Sequence, residues 1–227
     1  MNLDRLEQHV TRLEDIQAIE NLERIYGYYF DTRQMKNIVD LFSDDHTDFV
    51  EIESHGRFFG KEGVKRMYLQ AVGGEPPKDE AGRPLADTRP RSAGVITVII
   101  QLDGVVTIAP DGKTARGRWH TWLCESFPFA GRLGQYWLHG YYENEFIKEN
   151  GRWFFTRLFW NTTFYTRFET GWLVQPLVGF LPMPNPDMPM TAFHPYPSGY
   201  HFPLSFPHPI TGKMDRGKTH YHHPMAT

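Results

Sequence analysis

Cysteine is almost missing: Cys124 is the only one among 227 residues, so no internal disulfide can form and no cysteine-based metal site has its ligands. A lone cysteine of this kind reads as a small buried hydrophobe. Long apolar runs are also missing. The longest, Val95 to Ile100 with Thr97 inside it, is far short of the roughly 20 residues that span a bilayer. Asp4, Arg5 and Glu7 stand where a signal peptide would place apolar residues, so the chain is expected to be cytoplasmic, with no membrane partner. Charge of one sign is scarce: 24 basic and 27 acidic residues leave a net charge of -3, which gives no footprint for a polyanion and excludes nucleic acid as an expected partner. No G-x-G-x-x-G follows a strand, and neither a P-loop nor a G-x-S-x-G elbow occurs. The chemistry that remains is expected to need no cofactor.

What is present fits a soluble globular chain. Hydrophobic residues make 40% and charged residues 22%, and the length suits one domain plus an extension. Aromatic residues reach 15%, enough to line a pocket as well as fill a core, and such walls suit flat apolar ligands.

Apolar residues recur every three or four positions from Leu13 to Phe30, including Ile16, Ile19, Leu22, Ile25, Tyr26 and Tyr29, which predicts a helix. Met35 to Phe42 restarts the pattern, with Asp31 or Thr32 as the N-cap. Asp48 to Glu53 alternates as a strand, and Lys61 to Val72 reads as a further helix ended by Gly73 and Gly74. Residues 73–94 carry four prolines among charges and are expected to form a pocket lid. Strands are predicted at 95–102, 105–108, 113–127, 135–148 and 153–165, separated by Asp103-Gly104, Pro110-Asp111-Gly112 and Asn150-Gly151. Helices followed by hairpins imply an α+β class.

Residues 1–169 therefore form the body, and 170–227 change character. This second stretch holds 11 of the 17 prolines, six of the 11 histidines and eight aromatic residues, but only five charged side chains. A stiff, extended arm docked on the body or on a partner subunit is expected. Its histidines, at 194, 201, 208, 220, 222 and 223, show no regular ligand spacing, so no metal is expected.

Tyr26, Asp31, Ile38, Leu41-Phe42 and Asp44-Asp45 before a strand, then Leu102-Asp103-Gly104, Gly140-Tyr-Tyr-Glu-Asn-Glu-Phe146, Asn150-Gly-Arg-Trp153 and Arg157, resemble SnoaL-like proteins of the nuclear-transport-factor-two-like superfamily. The resemblance spans about residues 10 to 165. It implies a cone: a strongly curved antiparallel sheet whose concave face, closed by N-terminal helices, forms a deep pocket, usually in homodimers. Members include scytalone dehydratase, polyketide cyclases, steroid isomerases, non-catalytic binders and sphingomonad lignin-dimer lyases that release formaldehyde without a cofactor. Fold alone does not choose among them.

The resemblance places Asp31 where scytalone dehydratase has an aspartate that orients a histidine, and a carboxylate beside an imidazole makes a workable acid-base unit. His120 lies on a strand where Arg116, Arg118, His120, Trp122 and Cys124 share one face and Trp119, Thr121 and Leu123 the other; one of these faces lines the pocket. The expected catalytic set is Asp31, His120 and Tyr26, the last as a donor to a departing hydroxyl or an oxyanion. Arg91 stands near the place of a second family histidine and is suited to holding a phenolate. Tyr29, Arg118, Trp122, Tyr142 and Asn144 complete the expected substrate-binding residues. Glu51 and Glu53, on one strand face, are a further carboxylate pair to consider.

The expected function is a cofactor-independent lyase acting on a phenolic aromatic compound, in particular a lignin-derived dimer. A benzylic hydroxyl would leave through a quinone methide, with release of formaldehyde. Two alternatives stand beside it: a dehydratase or isomerase of a polycyclic, steroid or polyketide substrate, and a binding module that performs no chemistry.

Overall fold

One narrow stripe of the first helix is buried, and two of its members are acids. Helix α1 (Leu3–Asp31) turns Asp15, Ile19, Glu23, Tyr26 and Gly27 inward, a spacing of three and four residues, while Leu13 and Ile25 stay exposed. The computed structural model describes residues 3–52, 55–72, 94–129, 132–177, 185–191, 196–198 and 203–214. Among these residues no helix is long and apolar enough to cross a membrane.

Arg33 takes a left-handed conformation (φ 62°) and ends α1, after which the short helix α2 (Met35–Asp40) begins with Gln34 at its cap and no side-chain cap bond. Asp31 does not cap α2. Its Oδ1 accepts the Ile99 N–H at 2.9 Å, which ties the end of α1 to the sheet. The chain continues through β1 (Phe49–Ile52), β2 (Gly56–Phe59) and α3 (Gly60–Lys65), which runs on as a π-helical segment over Arg66–Val72. Four long strands follow: β3 (Ile96–Ile108), β4 (Thr114–Phe129), β5 (Arg132–Glu149) and β6 (Arg152–Arg167). The expected lid at 73–94 lies outside the described residues except for Gly94.

All six strands form one curved, unclosed sheet in the order β2-β1-β6-β5-β4-β3. Its pairings are antiparallel except β1 with β6, which run parallel. This is the expected α+β architecture. The two strands predicted on either side of Asp103-Gly104 are a single strand with a bulge between Leu102 and Val105. Asp103 takes positive φ (52°), and the missing side chain of Gly104 leaves room for the Trp119 indole, so the dipeptide bends a strand rather than reversing it.

The sheet has two unlike faces. Thr97, Ile99, Trp119, Thr121, Leu123, Tyr136, Leu138, Tyr142, Asn144 and Phe146 point inward, beneath α1 and the π-helical segment, and most belong to the core with Ile19, Tyr26, Met67 and Tyr68. The outward face carries Ile100, Leu102, Arg116, His120 and Trp122, exposed or half-buried. Described parts of 170–227 touch the body at several points: Met188 bridges Arg57, Asp187 pairs with Arg66, and the Tyr196 N–H donates to the Thr163 carbonyl at 2.6 Å.

Candidate functional site: a buried carboxyl among three tyrosines

Helix α1 crosses the inner face row by row, and the strand register shows what each turn meets. Asp15 accepts the Trp153 indole N–H at 2.9 Å, Glu23 lies over Asn144, the Tyr26 ring packs edge-on to Tyr142 at 5.9 Å between centroids, and Asp31 ends at Ile99. Between these ends run two neighbouring rows of inward side chains. Trp119, Tyr142 and Trp160 form one; Gln101, Thr121, Gly140 and Thr162 form the other. The second row is short-sided across β4, β5 and β6, flanked on one side by large aromatics and on the other by Leu123, Leu138 and Tyr165. Same-face rows lie two residues apart, close to 7 Å at the usual rise of about 3.3 Å per residue.

Glu23 is the centre of this arrangement. It is completely buried, its Oε2 accepts from Asn144 Nδ2 at 2.9 Å, and the Gln101 side chain donates to its main-chain carbonyl at 3.0 Å. Asn144 is held in turn, because its Oδ1 accepts the Phe159 N–H at 3.1 Å. Burial pushes the Glu23 carboxyl from its ordinary 4.5 up to about 8, with the Asn144 bond opposing part of that rise. Near neutrality it is a carboxylic acid, able to donate.

Three phenols surround it. Tyr26 and Tyr68 hydroxyls are 3.1 Å apart, and Tyr142 shares a hydrogen bond with Tyr26. Burial raises all three above the usual phenol value, so each keeps its proton. Glu23 Oε1 is buried without a hydrogen-bond partner among the described residues, and Thr121 Oγ1 and Trp160 Nε1 are among the other inner-face atoms of which the same holds. Native interiors leave few such atoms, and an unpaired oxygen on a completely buried carboxyl calls for an explanation.

Of the expected residues, the fold brings Tyr26, Tyr142 and Asn144 together here. Tyr29 is half-buried at the edge of the core. Asp31 and His120 are not joined, because the Trp119, Thr121 and Leu123 face is the one that meets α1. The alternation of the strand therefore turns His120 outward, where its Nδ1 lies 3.3 Å from His139 Nε2. Arg118 and Trp122 share that outward face; Arg118 pairs with Glu143 at 2.6 Å and lies over the Tyr141 ring. Arg91 lies outside the described residues, as do Glu53 and the arm histidines other than His208. Glu51 is bonded to Arg57 and Thr191 rather than to a second carboxylate.

Sequence reasoning missed Glu23, Tyr68, Thr121 and Trp160. A signal for Glu23 was present: it falls four residues after Ile19 and three before Tyr26, on the stripe those two define.

The family model of the SnoaL-like domain matches residues 11–158. No curated protein matches the chain. Among solved structures, a candidate scytalone dehydratase from Novosphingobium aromaticivorans is 18% identical, with TM-score 0.54 over 76% of this chain and 99% of that one. LinA is 15% identical, with TM-score 0.56 over 77% of this chain and 98% of its own. The hexachlorocyclohexane dehydrochlorinase LinA-type3 from Novosphingobium barchaimii is 15% identical, with TM-score 0.53 over 77% and 99%. These likenesses establish a shared fold.

Proposed function

The chain belongs to the SnoaL-like domain family, and on that premise we propose that it is a cofactor-independent lyase acting on a small phenolic aromatic compound. The observation that carries the reading is the neutral Glu23 carboxyl set among Tyr26, Tyr68 and Tyr142 inside an aromatic shell. Dehydration and dehydrochlorination, for which the structural neighbours are named, each remove a proton and a leaving group from adjacent atoms. An interior with one proton donor, several hydroxyls and ring-faced walls suits that class, and one positioned acid-base group supplies about 10² to 10⁴ in rate.

The substrate we favour is a lignin-derived dimer with a para-phenol, a benzylic hydroxyl and a neighbouring hydroxymethyl group. The phenolate pushes electrons through the ring, the benzylic C–O bond breaks, and the hydroxyl leaves as water. Next the hydroxymethyl O–H loses its proton, its carbon departs as formaldehyde, and the electrons of the broken C–C bond restore the aromatic phenolate and leave a stilbene. The test is incubation with a phenolic 1,2-diarylpropane-1,3-diol. Equal amounts of formaldehyde and stilbene support the reading, whereas loss of water with every carbon retained points to a dehydratase. The three phenols also suit polarising a carbonyl, which keeps the dehydratase or isomerase alternative in view. Ligand retention with no product would favour a binding module.

A further inference from the structure

Among the described residues three carboxyl groups are buried, and two of them are fully engaged. Asp15 accepts from the Trp153 indole and pairs with Lys148 Nζ at 2.7 Å; Glu51 pairs with Arg57 Nε at 2.6 Å and accepts from the Thr191 hydroxyl at 2.9 Å. Each has a cation. Glu23 has only the neutral amide of Asn144, on Oε2, and its Oε1 is left over. A structural acceptor for Asn144 would be served as well by glutamine, so an acid with a spare oxygen in a dry interior calls for another explanation.

We propose that Glu23 exchanges a proton with the bound molecule through Oε1. This rests on the lyase reading above and names the group that moves the proton. The titratable groups facing Glu23 are Tyr26 from its own helix, Tyr68 from the π-helical segment and Tyr142 from β5. All three remain neutral, so Glu23 is the member of the cluster that changes charge near neutrality.

In the step, the Glu23 O–H bond breaks and its proton joins the departing hydroxyl. The C–O electron pair leaves with the resulting water. Electrons from the phenolate, or from an adjacent C–H bond, fill the carbon. Glu23 is then a carboxylate, and it recovers its proton from the hydroxymethyl O–H in deformylation or from the C–H in dehydration. The acid ends as it began.

Two measurements test this, and only one needs turnover. Infrared difference spectra between wild type and Glu23→Gln should show a protonated-carboxyl band at pH 6 that fades as pH rises and shifts when a neutral phenol binds. With a turned-over substrate, Glu23→Gln should lower kcat by about 10² to 10⁴ with a smaller change in KM. Matching melting curves show that the variant is folded. A missing band at pH 6, a band indifferent to phenol binding, or a Glu23→Gln variant with wild-type kcat overturns the proposal. If no substrate is turned over, the lyase reading fails, and the infrared result still decides the role of Glu23.

Discussion

Asn144 joins α1 to the sheet through Glu23: its Nδ2 donates to Glu23 Oε2 at 2.9 Å while its Oδ1 accepts the Phe159 N–H at 3.1 Å. Both partners are buried, and neither has water to fall back on. Asn144→Ala strands a main-chain donor and a carboxyl oxygen together, at about 1–3 kcal/mol each, so unfolding free energy should fall by roughly 2–6 kcal/mol in a urea titration. A loss near zero would mean that the interior is wet enough to replace both bonds.

Tyr26 and Tyr68 share one hydrogen bond, 3.1 Å between hydroxyls, within a cluster of edge-on rings. Phenylalanine at either position keeps the ring packing and removes the donor. Each single variant should lower kcat by about 10² to 10³, the usual loss for one donor to a developing oxyanion. The double variant should lose less than the product of the two, because both deletions break the same bond. Steady-state rates on one substrate decide it.

The Glu23 carboxyl also makes stability depend on pH, and its sign is set by burial. Unfolded, it titrates near its ordinary 4.5; folded, near about 8. Between those values the folded chain binds the extra proton, so stability contributed by the neutral form is complete below 4.5 and is lost as pH rises through about 8. The slope approaches about 1.4 kcal/mol per pH unit in the middle of the window. Glu23→Gln removes it. The melting temperature of the variant relative to wild type should therefore climb from pH 5 to pH 8, and a constant difference would contradict the buried-acid assignment.

His120 stacks on His139 on the outward face, and burial together with the neighbouring imidazole lowers His139 to about 4. That pair faces away from Tyr26 and Glu23 across the thickness of the sheet. His120→Ala should leave turnover unchanged. Asp31→Asn preserves an oxygen for the Ile99 N–H, so it should change stability by no more than about 1 kcal/mol. Loss of turnover in His120→Ala would move the chemistry to the outward face.

How far the sequence could be read depended on which physical signal each residue gave. The hairpin run and the helical spacing of Ile19 and Tyr26 are local patterns, so the α+β architecture was legible, and the fold brings Tyr26, Tyr142 and Asn144, three of the expected residues, together. The facing of β4 was not, because alternation says that His120 and Thr121 point oppositely but not which side α1 covers. Asp103-Gly104 misled because the same dipeptide serves a turn and a bulge. Glu23 was hidden for a different reason: an acid on a helix reads as solvent-facing unless its place on the apolar stripe outweighs its charge. The parallel pairing of β1 with β6 is a long-range choice that no local pattern announces.

Among the described residues beyond Gly171, Thr191 ties to the body at Glu51, whose side chain is 1% exposed. Arg57 Nε holds one oxygen at 2.6 Å, and the Thr191 hydroxyl bonds both oxygens, at 2.9 and 3.0 Å. Truncation after Gly171 leaves Arg57 in place but uncovers the carboxylate and the Arg66 side chain that pairs with Asp187. Thr191→Val removes only the hydroxyl bonds, so it should lower stability by about 1–3 kcal/mol, with truncation costing more. We propose that the arm is docked on the body or on a partner subunit, and sedimentation separates the two cases. A truncated chain that melts lower with the same number of subunits places the docking within one subunit, while a loss of subunits places it across subunits. A truncated chain with unaltered melting, subunit number and activity would show that the arm holds nothing in place.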